Sequence, residues 1–219
     1  MPFHGMRLAV AALVLGLAAA SPAAAGTPTE ELKTYTDRVV KVLENRSLTS
    51  QQRRAAVREV AGEVFDVQEV AQRAMGQHWA KLSPEDRPKF VQLFGELLET
   101  TYISRIDEYG GERLVYVDEK VDGDRAVVRA KIVTKNGTEV PIESRLLRRG
   151  GGGWMIYDVL IEGASLVGNY RAQFDRVIRS GGVPELFKRL NERVAAMREQ
   201  TPGPARAPAP TRPGAPAKN

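Results

Sequence analysis

A chain of 219 residues with two histidines and no cysteine has few routes to chemistry. His4 lies ahead of an apolar run near the start, so His78 is the imidazole that a core domain would keep. His78 and Asp158 are the two side chains that acid–base catalysis could recruit. A thiol nucleophile is excluded. Zinc takes three or four ligands from histidine, cysteine and carboxylates, and a single histidine leaves carboxylates to complete the set, so no metal site is expected. No G-x-x-x-x-G-K-[ST] run occurs, which excludes a P-loop. Gly150 to Gly153 resembles a phosphate-cradling loop, but a strand pattern follows it rather than a helix, and it reads as a hairpin turn. Bland roles compete for both candidates. His78 reads as a partly exposed histidine closing a helix beside Trp79. Asp158 can equally cap a helix or pair with an arginine. No cofactor is expected.

The ends of the chain are unlike the middle. Leu8 to Ala20 is an apolar run, too short to span a bilayer comfortably, and Ala23-Ala24-Ala25 offers a small-residue cleavage site. That order reads as a cleaved secretory signal over residues 1–25, with no cysteine to carry a lipid anchor. Residues 201–219 hold six prolines and no acid, a composition that buries too little apolar surface to order itself. Removing Arg7, Arg206, Arg212 and Lys218 leaves 28 cations against 27 acids. The core, residues 26–200, is therefore almost neutral, and nucleic acid is not an expected partner. Its length suits one domain.

The first half of the core is helical in pattern. Thr27-Pro28-Thr29-Glu30 is a capping box with proline at the first helical position, followed by a stripe of Leu32, Tyr35, Val39, Val42 and Leu43. Thr49 with Gln52 and Asp66 with Glu69 predict two further boxed helices. Ser83 opens the longest predicted helix, which carries Phe90, Phe94, Leu97, Leu98, Tyr102 and Ile106 and ends near Tyr109-Gly110-Gly111.

The period then becomes two. Strands are predicted over 112–121, 125–134, 139–148 and 154–162, joined by Asp122-Gly123, Asn136-Gly137 and the glycine turn. Short links make this a four-stranded antiparallel meander. Ala126, Val128, Ala130 and Ile132 share one apolar face, and Arg129 and Lys131 point to the wet one. Two helices follow, one ending at Ser180-Gly181-Gly182 and the next opened by Pro184. The fold class is α+β, with helices from both ends of the chain on the apolar face of the sheet.

Three blocks carry a resemblance. Phe65-Asp66-Val67, Ala74-Met75-Gly76-Gln77-His78-Trp79 and Leu82-Ser83-Pro84 form the first. Phe90 to Phe94 and Leu97 to Tyr102 form the second. The most specific runs from Trp154 to Val167 (WMIYDVLIEGASLV) and on through Asn169-Tyr170-Arg171 and Gln173-Phe174. The chain resembles the MlaC, or toluene-tolerance, family of periplasmic lipid-binding proteins over nearly all of 29–200. One position departs: Ser144 stands where the family pattern has an aromatic residue before Arg145-Leu146.

The resemblance implies a cavity between sheet and helices that encloses acyl tails. It implies a monomeric periplasmic shuttle, not an enzyme, that moves phospholipid between an outer-membrane lipoprotein–porin complex and the MCE-type substrate-binding subunit of an inner-membrane ABC transporter. Serine at 144 leaves a hopanoid-like lipid open as the ligand. The expected cavity wall is Phe94, Leu97, Leu98, Tyr170 and Phe174 from helices, and Val128, Ala130, Ile142, Ser144 and Ile156 from the sheet. Two other readings stay open: a small hydrolase or isomerase using His78 or Asp158, and a non-catalytic envelope adaptor whose proline-rich tail binds a partner.

Overall fold

The computed structural model describes residues 26–150 and 152–200. The expected signal segment and proline-rich tail lie outside the described residues.

Helix α1 (Pro28–Glu44) starts at its capping box. Thr27 Oγ1 accepts the Glu30 N–H at 3.2 Å, and the Glu30 carboxylate accepts the Thr27 N–H at 2.9 Å, which satisfies donors that have no helical partner. Thr49 and Gln52 do the same for α2 (Ser50–Val64). At α3 (Val67–Met75) only half of the expected box forms. Asp66 accepts the Glu69 N–H at 2.9 Å, but the Glu69 carboxylate turns to Arg73 and Arg149 instead. The Asp66 N–H donates to the Ile156 carbonyl at 3.0 Å. A sheet contact and two guanidiniums outcompete the local bond.

Helix α4 (Asp86–Tyr102) opens on Ser83, whose Oγ accepts the Asp86 N–H at 3.1 Å. It stops seven residues short of the expected Tyr109 and tightens into a 3₁₀ turn, Ile103–Glu108. Thr100 and Thr101 explain the loosening: their hydroxyls bond the Glu96 and Leu97 carbonyls at 2.7 Å and so compete with the helical ladder. The longest helical run is instead α5 (Leu166–Gln200), interrupted at Gly182. Gly182 takes φ 75° and ψ −179°, a backbone region that essentially only glycine occupies, and Pro184 has no N–H to restore the ladder.

Five strands, not four, form the sheet: β1 (Arg113–Asp122), β2 (Arg125–Val133), β3 (Glu139–Arg148), β4 (Trp154–Ile161) and β5 (Ala164–Ser165), antiparallel in chain order. The fifth is two residues long. Glu162 and Gly163 both take positive φ, which folds the chain back onto the end of β4 before α5 begins. Bulges at Val117 and Tyr157 shift the register in β1 and β4, which changes the faces that later residues present.

The outer face of the sheet is a charged ladder. Asp118 pairs with Arg129, Arg129 with Glu143, Glu143 with Arg145, and Arg145 approaches Asp158 at 3.8 Å. The inner face is apolar and packs on α1 and α2 in one of two separate cores, the other being formed among helices. One joins α3, α4 and α5 around Met75, Phe90, Phe94 and Leu186. The other joins Leu32 of α1 and Val64 of α2 to Ala126, Val128, Leu146, Trp154 and Ile156 of the sheet.

Candidate functional site

The inner face of the sheet is built from cross-strand rows. One row is Ala126, Leu146 and Ile156; the next is Val128, Ser144 and Val159. Beyond them come Tyr116, Ala130, Ile142 and Ile161, and then Leu114, Ile132 and Val140. The first row is fully buried under α1 and Val64. Helix α1 is fastened there: the Glu31 carboxylate accepts the Trp154 N–H at 2.7 Å, and the Thr36 hydroxyl shares a 2.9 Å bond with the Tyr116 hydroxyl. Burial raises the Tyr116 pKa above its usual value, against the lowering effect of the Thr36 bond.

The further rows are apolar but open. Leu114, Ile132, Val140 and Ile142 are half-buried, and Ile161 is 45% exposed. Val39, Val42 and Leu43 of α1 and Leu98 of α4 are half-buried as well. Inward-facing aliphatic side chains without closed packing mark a surface that something apolar can cover.

The expected wall residues divide between the two cores and the open rows. Phe94 lies against Tyr170 and Phe174 edge to face, with centroids 4.9 and 5.2 Å apart, and stacks on Phe90 at 5.7 Å. Leu97 is buried in the same cluster, with Leu98 at its margin. Val128 and Ile156 belong to the sheet core, and Ala130 is buried beside them. Ile142 and Ser144 are half-buried, in the open row and in the row next to it. Leu114, Val140 and Val159 were not among the expected residues. Their alternation was visible, but the bulges in β1 and β4 that set the faces of Leu114 and Val159 were not.

The two acid–base candidates are both engaged. His78 is not a partly exposed helix end: it is 5% exposed, in a 3₁₀ turn (Gly76–Lys81) after α3. Its Nε2 lies 2.9 Å from Asp175 Oδ1, and its Nδ1 is buried without a hydrogen-bond partner. Asp175 also takes Arg179 Nε at 2.9 Å and Gln77 at 3.2 Å. These bonds, His78 foremost, hold the Asp175 carboxyl below its ordinary pKa. Asp158 is buried in β4 and works as a helix cap from a distance. It accepts the Ser165 hydroxyl at 2.7 Å and the Val167 N–H at 3.1 Å at the start of α5. Among the described residues no cluster of three or more His, Cys, Asp or Glu side chains is placed to hold a metal ion, and no helix is long and apolar enough to cross a membrane.

An antiparallel meander with helices over one face, two packed cores and half-buried apolar rows on the sheet defines an α+β domain. The sequence profile of the MlaC protein family matches residues 33–192, and the chain belongs to that family. It is similar to the intermembrane phospholipid transport system binding protein MlaC of Haemophilus influenzae, 25% identical over 124 residues, or 55% of this chain and 58% of that protein. It is also similar to the toluene tolerance protein ttg2D of Pseudomonas putida, 26% identical over 129 residues, or 58% of this chain and 60% of that one. The matched stretches thus span less than two thirds of these relatives. A phospholipid-binding protein from Ralstonia solanacearum, solved in complex with a phospholipid, superposes with a TM-score of 0.69 at 28% identity, covering 77% of this chain and 97% of that one.

Proposed function

We propose that this protein is a periplasmic carrier that holds a phospholipid with its acyl chains against the open rows of the sheet, and that it catalyses no reaction. The observation that carries this reading is the unclosed apolar half of the inner face, from Leu114 through Ile132, Val140 and Ile142 to Ile161. Family membership and a structural neighbour bound to phospholipid support it. In this reading Ile142 and Ser144 line the site, Val128, Ala130 and Ile156 close its inner end, and Phe94, Leu97, Leu98, Tyr170 and Phe174 bound it from the helical side. The hopanoid-like alternative is a second ligand for the same surface, and Ser144 is the position that would admit it.

Energetics suit a carrier. A two-tailed lipid with about thirty methylenes gains on the order of 20 kcal/mol from burial, so escape through water is slow and release requires contact with a partner. The partners of the proposal are an outer-membrane lipoprotein–porin complex and an MCE-type subunit of an inner-membrane ABC transporter, with the carrier exported through a cleaved signal over 1–25 and moving between them as a monomer. His78 and Asp158, each bound in structural contacts, are not proposed as catalysts.

Native mass spectrometry of protein purified from the periplasm tests the reading. A stoichiometric phospholipid is expected. Empty protein, after purification without detergent, would sink the carrier assignment.

A further inference from the structure

Residues 45–58 contain four arginines, Arg46, Arg53, Arg54 and Arg58, and no acid. The first turn of α2 holds no acidic residue, although negative charge is what the positive start of a helix favours. Cations here oppose the helix dipole, and three of the four are met by carboxylates from elsewhere in the chain: Arg53 and Arg54 by Asp107, and Arg58 by Glu99. Two of the backbone N–H groups at this helix start are taken: that of Gln52 donates to Thr49 Oγ1 and that of Arg53 to the Thr49 carbonyl. The arginine side chains are the charged donors an anion would meet here.

Two of them converge. Arg54 reaches Asp107 Oδ2 with Nε at 3.1 Å and Nη2 at 2.5 Å. Arg53 Nη2 lies 3.7 Å from Asp107 Oδ1, while its Nη1 donates to the Leu48 carbonyl at 3.0 Å and Nη2 contacts Ser50 Oγ at 3.4 Å. The three side chains are 22–28% exposed. They are shielded enough to strengthen electrostatics and open enough to admit a ligand. Two guanidiniums on one carboxylate leave a surplus of one positive charge. Each guanidinium has five N–H donors; Arg54 directs two at Asp107, and Arg53 hydrogen-bonds Leu48 and Ser50 beside its longer contact with Asp107. Asp107 follows the half-buried Ile106 in the 3₁₀ turn that leads to β1 and Leu114 in the open rows.

We infer that Arg53 and Arg54, held in register by Asp107, bind a phosphate monoanion, whether the phosphodiester of a lipid headgroup or a free phosphate ion. The headgroup form rests on the carrier reading above. A phosphate monoanion matches the surplus charge, and its paired oxygens match the fork of a guanidinium. Asp107 keeps both arginines oriented while the site is empty and competes with the phosphate, which weakens the hold enough for release.

The test uses delipidated full-length protein in three forms: wild type, Arg53→Gln/Arg54→Gln, and Asp107→Asn. One arm offers phosphatidylglycerol and diacylglycerol with the same chains and reads uptake by native mass spectrometry. The other titrates inorganic phosphate against chloride at matched ionic strength. Wild type is expected to prefer phosphatidylglycerol by about tenfold, the scale of a charge-assisted hydrogen bond. The double variant should lose that preference while still taking both lipids, and Asp107→Asn should widen it. Saturable binding of inorganic phosphate, lost in the double variant, without any lipid preference, would make the source a free ion. Equal lipid ratios and equal phosphate responses in all three forms would overturn the site. If no form takes up either lipid, the carrier reading fails, and the phosphate titration decides the site alone. If the double variant does not fold, Asp107→Asn decides: binding no tighter than wild type in either arm overturns the inference.

Discussion

His78 Nε2 sits 2.9 Å from Asp175 Oδ1 across 97 residues of sequence. The bond ties the turn after α3 to the middle of the first half of α5. Its consequence is a pH dependence on the acid side. The Asp175 carboxyl is held below its ordinary pKa, first by His78 and then by Arg179 and Gln77. Such a group stabilises the fold above the unfolded carboxylate value of about 3.9 and loses that contribution as pH falls through the lower folded value. Asp175→Asn should flatten the loss of thermal stability between about pH 5 and pH 2, measured by circular dichroism. An unchanged acid limb would show that the bond contributes nothing. His78→Ala should lower the melting temperature and leave lipid transfer within a few-fold of wild type. A hundred-fold loss of transfer with folding intact would mean that His78 acts on the ligand.

Asp158 should behave as a cap and not as an acid or base. Replacing it with alanine strands the Val167 N–H and the Ser165 hydroxyl, both of which it accepts. A lost helix cap costs about 0.5–2 kcal/mol, read as a shift in chemical denaturation midpoint. Bound lipid per protein should not change. Intact stability with abolished lipid binding would reverse this assignment.

Gly182→Ala should destabilise the protein by about 1–3 kcal/mol, the cost of holding a side chain in glycine-only backbone space. The Gly182 φ of 75° with ψ near 180° sets the bend that lets Leu186, Leu190 and Val194 rejoin the α4 core. A neutral substitution would show that the helix can straighten without loss.

Wall and core separate by where a large residue is tolerated. Leu97 is closed in among aromatic rings, so Leu97→Ala should cost about 2–5 kcal/mol. Ser144 is half-buried between Val128 and Val159 in its row, one row from the open face. Ser144→Phe should fold, keep its melting temperature within a few degrees, and lower the amount of co-purified lipid. A variant that folds and carries a full complement of lipid would place the tails elsewhere.

What the sequence determined by itself was local. Thr27 with Glu30, and Thr49 with Gln52, set helix starts because a capping box closes within four residues. Asp122-Gly123 and Asn136-Gly137 set the meander because a tight turn needs no information from elsewhere. The Gly182 break and the charged side of β2 were legible for the same reason. The tertiary structure decided everything that depends on competition between distant groups. Glu69 leaves its box for Arg149, eighty residues away. The bulges at Val117 and Tyr157 choose which β1 and β4 side chains face inward. His78 acquires Asp175, Asp158 acquires α5, and Arg53 and Arg54 acquire Asp107. An ion pair or a cap takes the partner that folding brings within about 3 Å, and no spacing in the chain specifies that distance.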